Sequence, residues 1–344
     1  MRAVRLFAPN QPLQAADIPI PAVGAGDVLV EIHAAGICHS DVHYRAGKSP
    51  VRPLPLTLGH EIAGVVVEVG SEVVNRRVGD RVALHYLLCC GDCYYCSTGN
   101  EQFCTQGSML GHFADGGYAD YIAVPERNAV PLPEEIPFEH GAILMCSSAT
   151  SFHALRKSRL KVGESIAVFG IGGLGISAAQ LAAAFGALDV YAVDLHADKL
   201  ALAAKHGAIP IDASAADPVQ AIMDYTKGRG VDVALELIGI SVTMKQALRS
   251  VGIMGRAVMV GISDRPFEVD TYRELLGKEA ELIGVNDHLL QELPLLIELA
   301  RRGKLDLSEV VTGSVPLDAA AINGVLDDLE HFGGGMRTVV KRSS

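Results

Sequence analysis

The chain has 344 residues, 49% of them hydrophobic and 20% charged, with a formal net charge of −11. That length suits two domains, since single cores rarely grow past about 250–300 residues. The acidic balance argues against nucleic acid or anionic membrane as a partner, because both attract basic patches.

Residues 1 to about 150 carry short β-rich runs separated by Gly, Pro and Asp turns, such as Val28-Leu29-Val30-Glu31-Ile32 and Ala63-Gly64-Val65-Val66-Val67-Glu68-Val69. They predict a mostly β domain. The N-terminal Met1-Arg2-Ala3-Val4-Arg5 has no apolar stretch of the kind a secretory signal needs, so a cytoplasmic location is expected. Seven cysteines in such a chain point to metal or catalysis rather than to disulfides.

From about 165 to 286 apolar runs alternate with amphipathic stretches. The pattern predicts strands at 166–169, 189–193, 231–237, 256–261 and 281–285, and helices at 174–185, 197–206, 217–226 and 241–250. Such alternation implies a parallel sheet covered by helices. Ile166 to Leu188 is free of charge and long enough to span a bilayer, but its glycines make strand, turn and helix the better reading. Beyond 287 one helix is expected near 288–302, and a closing strand at Thr338-Val339-Val340-Lys341.

Cys90, Cys93, Cys96 and Cys104 stand at spacings x2, x2 and x7 on a polar stretch. Four thiolates on one short loop can close a tetrahedron around zinc and leave no open position, which is a structural site. An iron–sulfur cluster or four buried thiols are the alternatives. Cys89 precedes the run at a poorer spacing and is left out. Cys38, His60 and Cys146 could each be simple packing residues. As a set they supply two thiolates and an imidazole with one position free, as a catalytic zinc requires.

Val168-Phe169-Gly170-Ile171-Gly172-Gly173-Leu174-Gly175 is an apolar run entering Gly-x-Gly-x-x-Gly ahead of an alanine-rich helix. This is the pattern of a dinucleotide turn, with pyrophosphate on the helix N-terminus. The next predicted strand ends at Asp194, where a carboxylate can accept from both adenosine ribose hydroxyls and repel a 2′-phosphate, favouring NAD. His196 and Lys199 leave room for NADP.

The chain resembles the zinc-containing medium-chain alcohol dehydrogenases from end to end. Their pattern Gly-His-Glu-x2-Gly-x5-Gly-x2-Val is met by Gly59, His60, Glu61, Gly64, Gly70 and Val73, and Cys-x-Ser-Asp-x-His by Cys38, Ser40, Asp41 and His43. The four-cysteine lobe falls where the family has it. The resemblance implies a GroES-like catalytic domain over 1–147 with its lobe at about 89–104, a doubly wound Rossmann domain over 148–286, and a return to the catalytic domain over 287–344.

It also implies two zinc ions per subunit, one on Cys90, Cys93, Cys96 and Cys104 and one on Cys38, His60 and Cys146. Glu61 would lie close enough to exchange with water or substrate, and Asp41 would orient His60. Ser147-Ser148-Ala149-Thr150 departs from the usual Ala-Gly-x-Thr but keeps the threonine. A cysteine at 146 favours simple alcohols over polyols.

Ser40 and His43 would relay the proton, His39 and Arg337 would contact pyrophosphate, and Thr150 and the backbone of Gly261 and Val285 would face the nicotinamide. Tyr86, with His85 and Met109, would line the substrate pocket. The implied protein is a homo-oligomeric, NAD-dependent alcohol dehydrogenase, tetramer or dimer, with a small alcohol or carbonyl as partner. A polyol or hydroxy-acyl dehydrogenase of the same family, or an NAD-binding protein without turnover, are the rivals.

Overall fold

The computed structural model describes residues 1–263, 265–331 and 335–342. The chain divides into two compact units, one made of Met1–Cys146, Leu289–Arg301 and Leu307–Ser344, the other of Ser147–His288 with Arg302–Asp306.

The first unit opens with β1 (Arg2–Leu6), β2 (Gln14–Asp17), β3 (Asp27–Ile37), α1 (His39–Arg45), β4 (Leu56–Thr57), β5 (Glu61–Val69), β6 (Arg81–Leu84) and β7 (Leu87–Leu88). It continues through α2 (Tyr94–Ser97), β8 (Ser108–Met109), β9 (Tyr121–Pro125), β10 (Ala129–Pro131) and α3 (Phe138–Ile143). The second unit holds α4 (Ala149–Ser158), β11 (Ser165–Phe169), α5 (Gly173–Ala184), β12 (Asp189–Asp194), α6 (Ala197–Lys205) and β13 (Ile209–Asp212). Then follow α7 (Pro218–Tyr225), β14 (Val231–Glu236), α8 (Ser241–Ser250), β15 (Val251–Met259) and β16 (Glu281–Gly284). The chain returns to the first unit with α9 (Leu293–Arg301), β17 (Val311–Pro316), α10 (Ala319–Glu330) and β18 (Arg337–Lys341).

In the first unit β3 is the hub, antiparallel to β5, β9 and β18. Its Val28, Val30 and Ile32 recur at the two-residue period of a strand and are buried together with Ile62, Val66, Val82 and Leu84 from its neighbours. Burying a side chain of this size stabilises the fold by about 1.5–3 kcal/mol. β18 joins this sheet from the far end of the sequence, pairing Thr338 with Ile37, and so brings Arg337 beside the end of β3.

In the second unit six parallel strands, counted among the described residues, run in the order β13-β12-β11-β14-β15-β16. This is the 3-2-1-4-5-6 order of a doubly wound Rossmann sheet. Every residue of β11 is buried, which explains its unbroken apolar run: a central parallel strand has both faces covered. α7 begins where the sequence says it should, with Asp217 accepting from Val219 N and Pro218 in the first turn.

Four elements differ from expectation, the first being β17, which was not anticipated beyond residue 287. β13 was not anticipated: it is four residues long and contains Pro210. β15 starts at Val251 rather than 256, across two glycines and a positive φ of 58° at Met254. α10 was missed because only Ile322 and Leu326 are buried in it, a stripe too thin to read as periodic. Among the described residues no helix is long and apolar enough to cross a membrane; the uncharged stretch from Ile166 divides into β11, a glycine turn and α5.

Candidate metal centre and dinucleotide turn

Cys38 follows β3 and caps α1. The Asp41 carboxylate folds back to it, accepting from Cys38 N at 2.9 Å. The same buried carboxylate accepts from Tyr118 Oη at 3.0 Å and Gly59 N at 3.3 Å, and stands 3.4 Å from His60 Nδ1. One short helix turn thereby fixes Cys38 and orients the His60 ring, which also meets the Cys38 thiol. Cys146 comes from Leu144–Ser148, a π-helical turn between α3 and α4. Such turns re-aim side chains and recur at functional sites.

The ligand atoms of Cys38, His60, Glu61 and Cys146 all lie within 4.8 Å of one another, and all four residues are buried. Contact with Cys146 holds the Cys38 thiol well below the usual range, while that contact and burial push Cys146 well above it. Two thiols this close ionise together only with a cation between them. The donor set, two soft sulfurs, an imidazole and a carboxylate, suits zinc.

Arg337 pairs with Glu61 Oε2, and both are buried. Burial raises the Glu61 carboxyl to about 7 against the pull of Arg337. Glu61 Oε1 has no hydrogen-bond partner among the described groups, so one oxygen is tied back and the other is available to a ligand.

Ser40 Oγ stands 3.7 Å from Cys38 Sγ. His43 lies one turn further along α1, with the His39 ring edge-on at 5.0 Å. Tyr86 meets His60 edge-on at 5.3 Å. His85 stacks on Tyr86 and is almost fully buried, and Met109 Sδ accepts from Tyr44 Oη at 3.9 Å. Sequence reading overlooked Tyr44, whose ring lies edge-on to His60 at 6.2 Å and stacks on His112 at 4.4 Å. Tyr44 is four residues past Ser40, the spacing that shares a helix face, so a signal existed. Tyr118 offered none.

In the lobe, Sγ–Sγ separations are 3.4 Å for Cys90–Cys104, 3.9 Å for Cys90–Cys96 and 4.0 Å for Cys93–Cys104. Four sulfurs at the vertices of a zinc tetrahedron stand about 3.8 Å apart, given a bond near ~2.3 Å. Cys93 N donates to Cys90 Sγ and Cys90 N to Cys104 Sγ, each at 3.4 Å, as thiolates require. N–H donors from Cys96 and Thr105 hold the Cys93 thiol down at about 6. All seven cysteines are free of disulfides.

In the second unit, Gly170 turns the chain at φ +93°, and a Cβ on Gly175 would meet Gly170 O at 1.9 Å. Gly172, which caps α5, has nothing within 4 Å of its missing Cβ. That open position above a helix N-terminus fits a pyrophosphate. Asp194 Oδ2 accepts from Ile171 N at 2.7 Å, and Oδ1 accepts from Leu195 N at 2.8 Å and His196 N at 3.0 Å. Burial raises this carboxyl, but Ile171, His196 and Lys199 together hold it below the usual range.

Thr150 is buried in α4, Gly261 N donates to Glu236 O at 3.1 Å, and Val285 N donates to Met259 O at 3.0 Å. His39 and Arg337, expected beside pyrophosphate, belong to the first unit, and Arg337 is engaged by Glu61.

A β-rich unit with a buried set of metal donors, joined in one chain to a dinucleotide-binding α/β unit, defines a zinc-binding oxidoreductase. Residues 24–134 match the alcohol dehydrogenase GroES-like domain and residues 173–301 the zinc-binding dehydrogenase domain. An NAD-dependent alcohol dehydrogenase of Sulfurisphaera tokodaii is 36% identical, over 96% of this chain and 97% of its own length. An L-threonine 3-dehydrogenase of Symbiobacterium thermophilum is 34% identical over 92% of each. The solved alcohol dehydrogenase of Aeropyrum pernix superposes with a TM-score of 0.90 at 34% identity, covering 99% of this chain and 100% of that one. The chain belongs to the zinc-containing medium-chain alcohol dehydrogenase family.

Proposed function

We propose that the protein interconverts a primary or secondary alcohol and its aldehyde or ketone, using NAD and two zinc ions per chain, as a cytoplasmic homo-oligomer. The observation that carries the reading is the meeting of Cys38, His60, Glu61 and Cys146 in one buried site. Cys38, His60 and Cys146 would hold the catalytic zinc, and Cys90, Cys93, Cys96 and Cys104 the structural one. When bound, zinc supplies Lewis acidity to the substrate hydroxyl and NAD accepts the hydride.

The chain's own groups do the rest. Asp41 fixes the His60 ring. Ser40 Oγ, beside Cys38, would accept the hydroxyl proton, with His43 on the same helix as the outer member of the relay. Tyr86, Tyr44 and Met109 form an aromatic and thioether wall that favours apolar alcohols and excludes water. Gly172 leaves room for pyrophosphate, and Asp194 receives the adenosine ribose and rejects a 2′-phosphate. Thr150, Lys199, Gly261 and Val285 would complete the cofactor contacts of the second unit.

The L-threonine 3-dehydrogenase relative motivates a second reading, a hydroxy-amino-acid or polyol substrate. NADH absorbance with simple alcohols, polyols and L-threonine decides between them. Turnover confined to the polar substrates would replace the first reading by the second.

A further inference from the structure

Glu101 lies inside the four-cysteine loop, three residues before Cys104, and metal binding there does not use it. It is only 9% exposed, which a glutamate rarely tolerates without partners. Both oxygens face donors: Oε1 accepts from Leu290 N and Oε2 from Arg127 Nη2, each at 2.7 Å. Arg127 Nη1 donates to Cys89 O, and the Cys89 thiol to Glu101 O, each at 3.2 Å. Oε1 also stands 3.7 Å from His85 Nε2. Burial, with Arg127 adding to it, pushes the His85 imidazole down to about 3, so the ring is neutral and the counter-charge of Glu101 is Arg127.

Arg127 adjoins Asn128, which grips the segment that carries Tyr86. Asn128 O accepts from His85 N at 2.9 Å, and Asn128 Nδ2 donates to His85 O at 2.7 Å and to Leu87 O at 2.8 Å. From the other side Leu110 N donates to Tyr86 O at 3.0 Å. The clamped residue is the one whose ring meets His60.

We infer that Glu101 is a positioning residue for Tyr86: anchored in the four-cysteine loop, it fixes Arg127 and the Asn128 clamp, and so sets the aromatic wall against His60. The order of a loop that does no chemistry thereby governs how tightly substrate is held. This rests on the reading of His60 as part of the alcohol site. A carboxylate is required, because an amide would turn its N–H₂ toward Leu290 N or Arg127 and leave buried donors facing each other.

The test uses the zinc-loaded protein with Glu101→Gln, Tyr86→Leu and the pair. Glu101→Gln is expected to keep its zinc and to raise the alcohol KM about tenfold, with kcat within about threefold, as loss of uniform binding does. In the Tyr86→Leu background the same change should add almost nothing, since residues acting through one another are non-additive. Full additivity, or an unchanged KM in Glu101→Gln, overturns the inference. Arg127→Gln, which removes the counter-charge from the exposed side, repeats the test should Glu101→Gln not fold. A readout independent of turnover is the ¹⁹F resonance of Tyr86 in 3-fluorotyrosine-labelled protein, assigned with Tyr86→Phe. It should move in Glu101→Gln or Arg127→Gln, and an unmoved resonance contradicts the coupling even if no alcohol is turned over.

Discussion

Ser40 and Asp194 carry the sharpest consequences of single side chains. Ser40 Oγ is held beside Cys38 Sγ at the start of α1, so in the proposed relay its removal would break the short proton path while leaving Cys38, His60 and Cys146 in place. Ser40→Ala should lower kcat about 10²-fold or more, the usual scale for a general acid–base group, and His43→Gln should cost less because water replaces an outer member. Zinc content should be unchanged in both. Full turnover in Ser40→Ala when hydride transfer limits the rate would show that the path is not used.

Asp194 binds the Gly170–Gly175 turn through Ile171 N, and in the proposed reading would also receive the ribose. Its carboxyl is held low, so its stabilising contribution is complete above about pH 3.9, the unfolded value, and is lost as pH falls through the lower folded one. At neutral pH it is an anion. Asp194→Gly should weaken NAD by about 10–100-fold, the worth of hydrogen bonds to a charged group, while NADP weakens less or improves. The kcat/KM ratio for the two cofactors measures this, and an unchanged ratio contradicts the assignment.

At the scale of elements, the glycine turn makes a contrast within one motif. A methyl on Gly175 meets backbone at 1.9 Å, where nothing can yield, whereas a methyl on Gly172 meets no protein atom. Gly175→Ala should destabilise the second unit by about 1–3 kcal/mol through overpacking, visible as a lower melting temperature without cofactor. Gly172→Ala should melt like the parent chain yet bind NADH more weakly, because its methyl occupies the ligand's place. Equal melting temperatures for Gly175→Ala and the parent would refute the packing role.

Motif-bearing elements such as this turn were legible because everything that defines them lies within a few residues. So were the four-cysteine loop, β11 and helices α5 to α8. What stayed hidden was pairing across the chain. The contact of Arg337 with Glu61 depends on β18 returning to β3, and the hold of Asp41 on Tyr118 joins residues 77 apart. The π-helical turn that delivers Cys146 leaves no mark on hydrophobic periodicity, and β13 and α10 bury too few side chains to create one.

For the whole molecule the reading requires two metal sites with different duties. In that reading the lobe would be a closed sulfur set contributing to folding, and the buried set, with metal held by Cys38, His60 and Cys146, would keep a position open for substrate. Metal analysis of chelator-washed protein should find two zinc ions per chain. Cys93→Ala should lose one together with much of the thermal stability, and Cys146→Ala should lose the other while remaining folded. A single zinc in the parent protein would remove one assignment.

The central claim, an alcohol oxidation that depends on both zinc and NAD, is tested most directly by NADH absorbance during removal and return of the metal. With NAD and a panel of primary and secondary alcohols, the protein should form NADH, stop when zinc is stripped from the Cys38, His60 and Cys146 site, and recover on adding zinc. Cys146→Ala, still folded, should remain inactive at every zinc concentration. NADH formation that persists after the site has lost its metal, or its absence with every alcohol in fully zinc-loaded protein, would contradict the account.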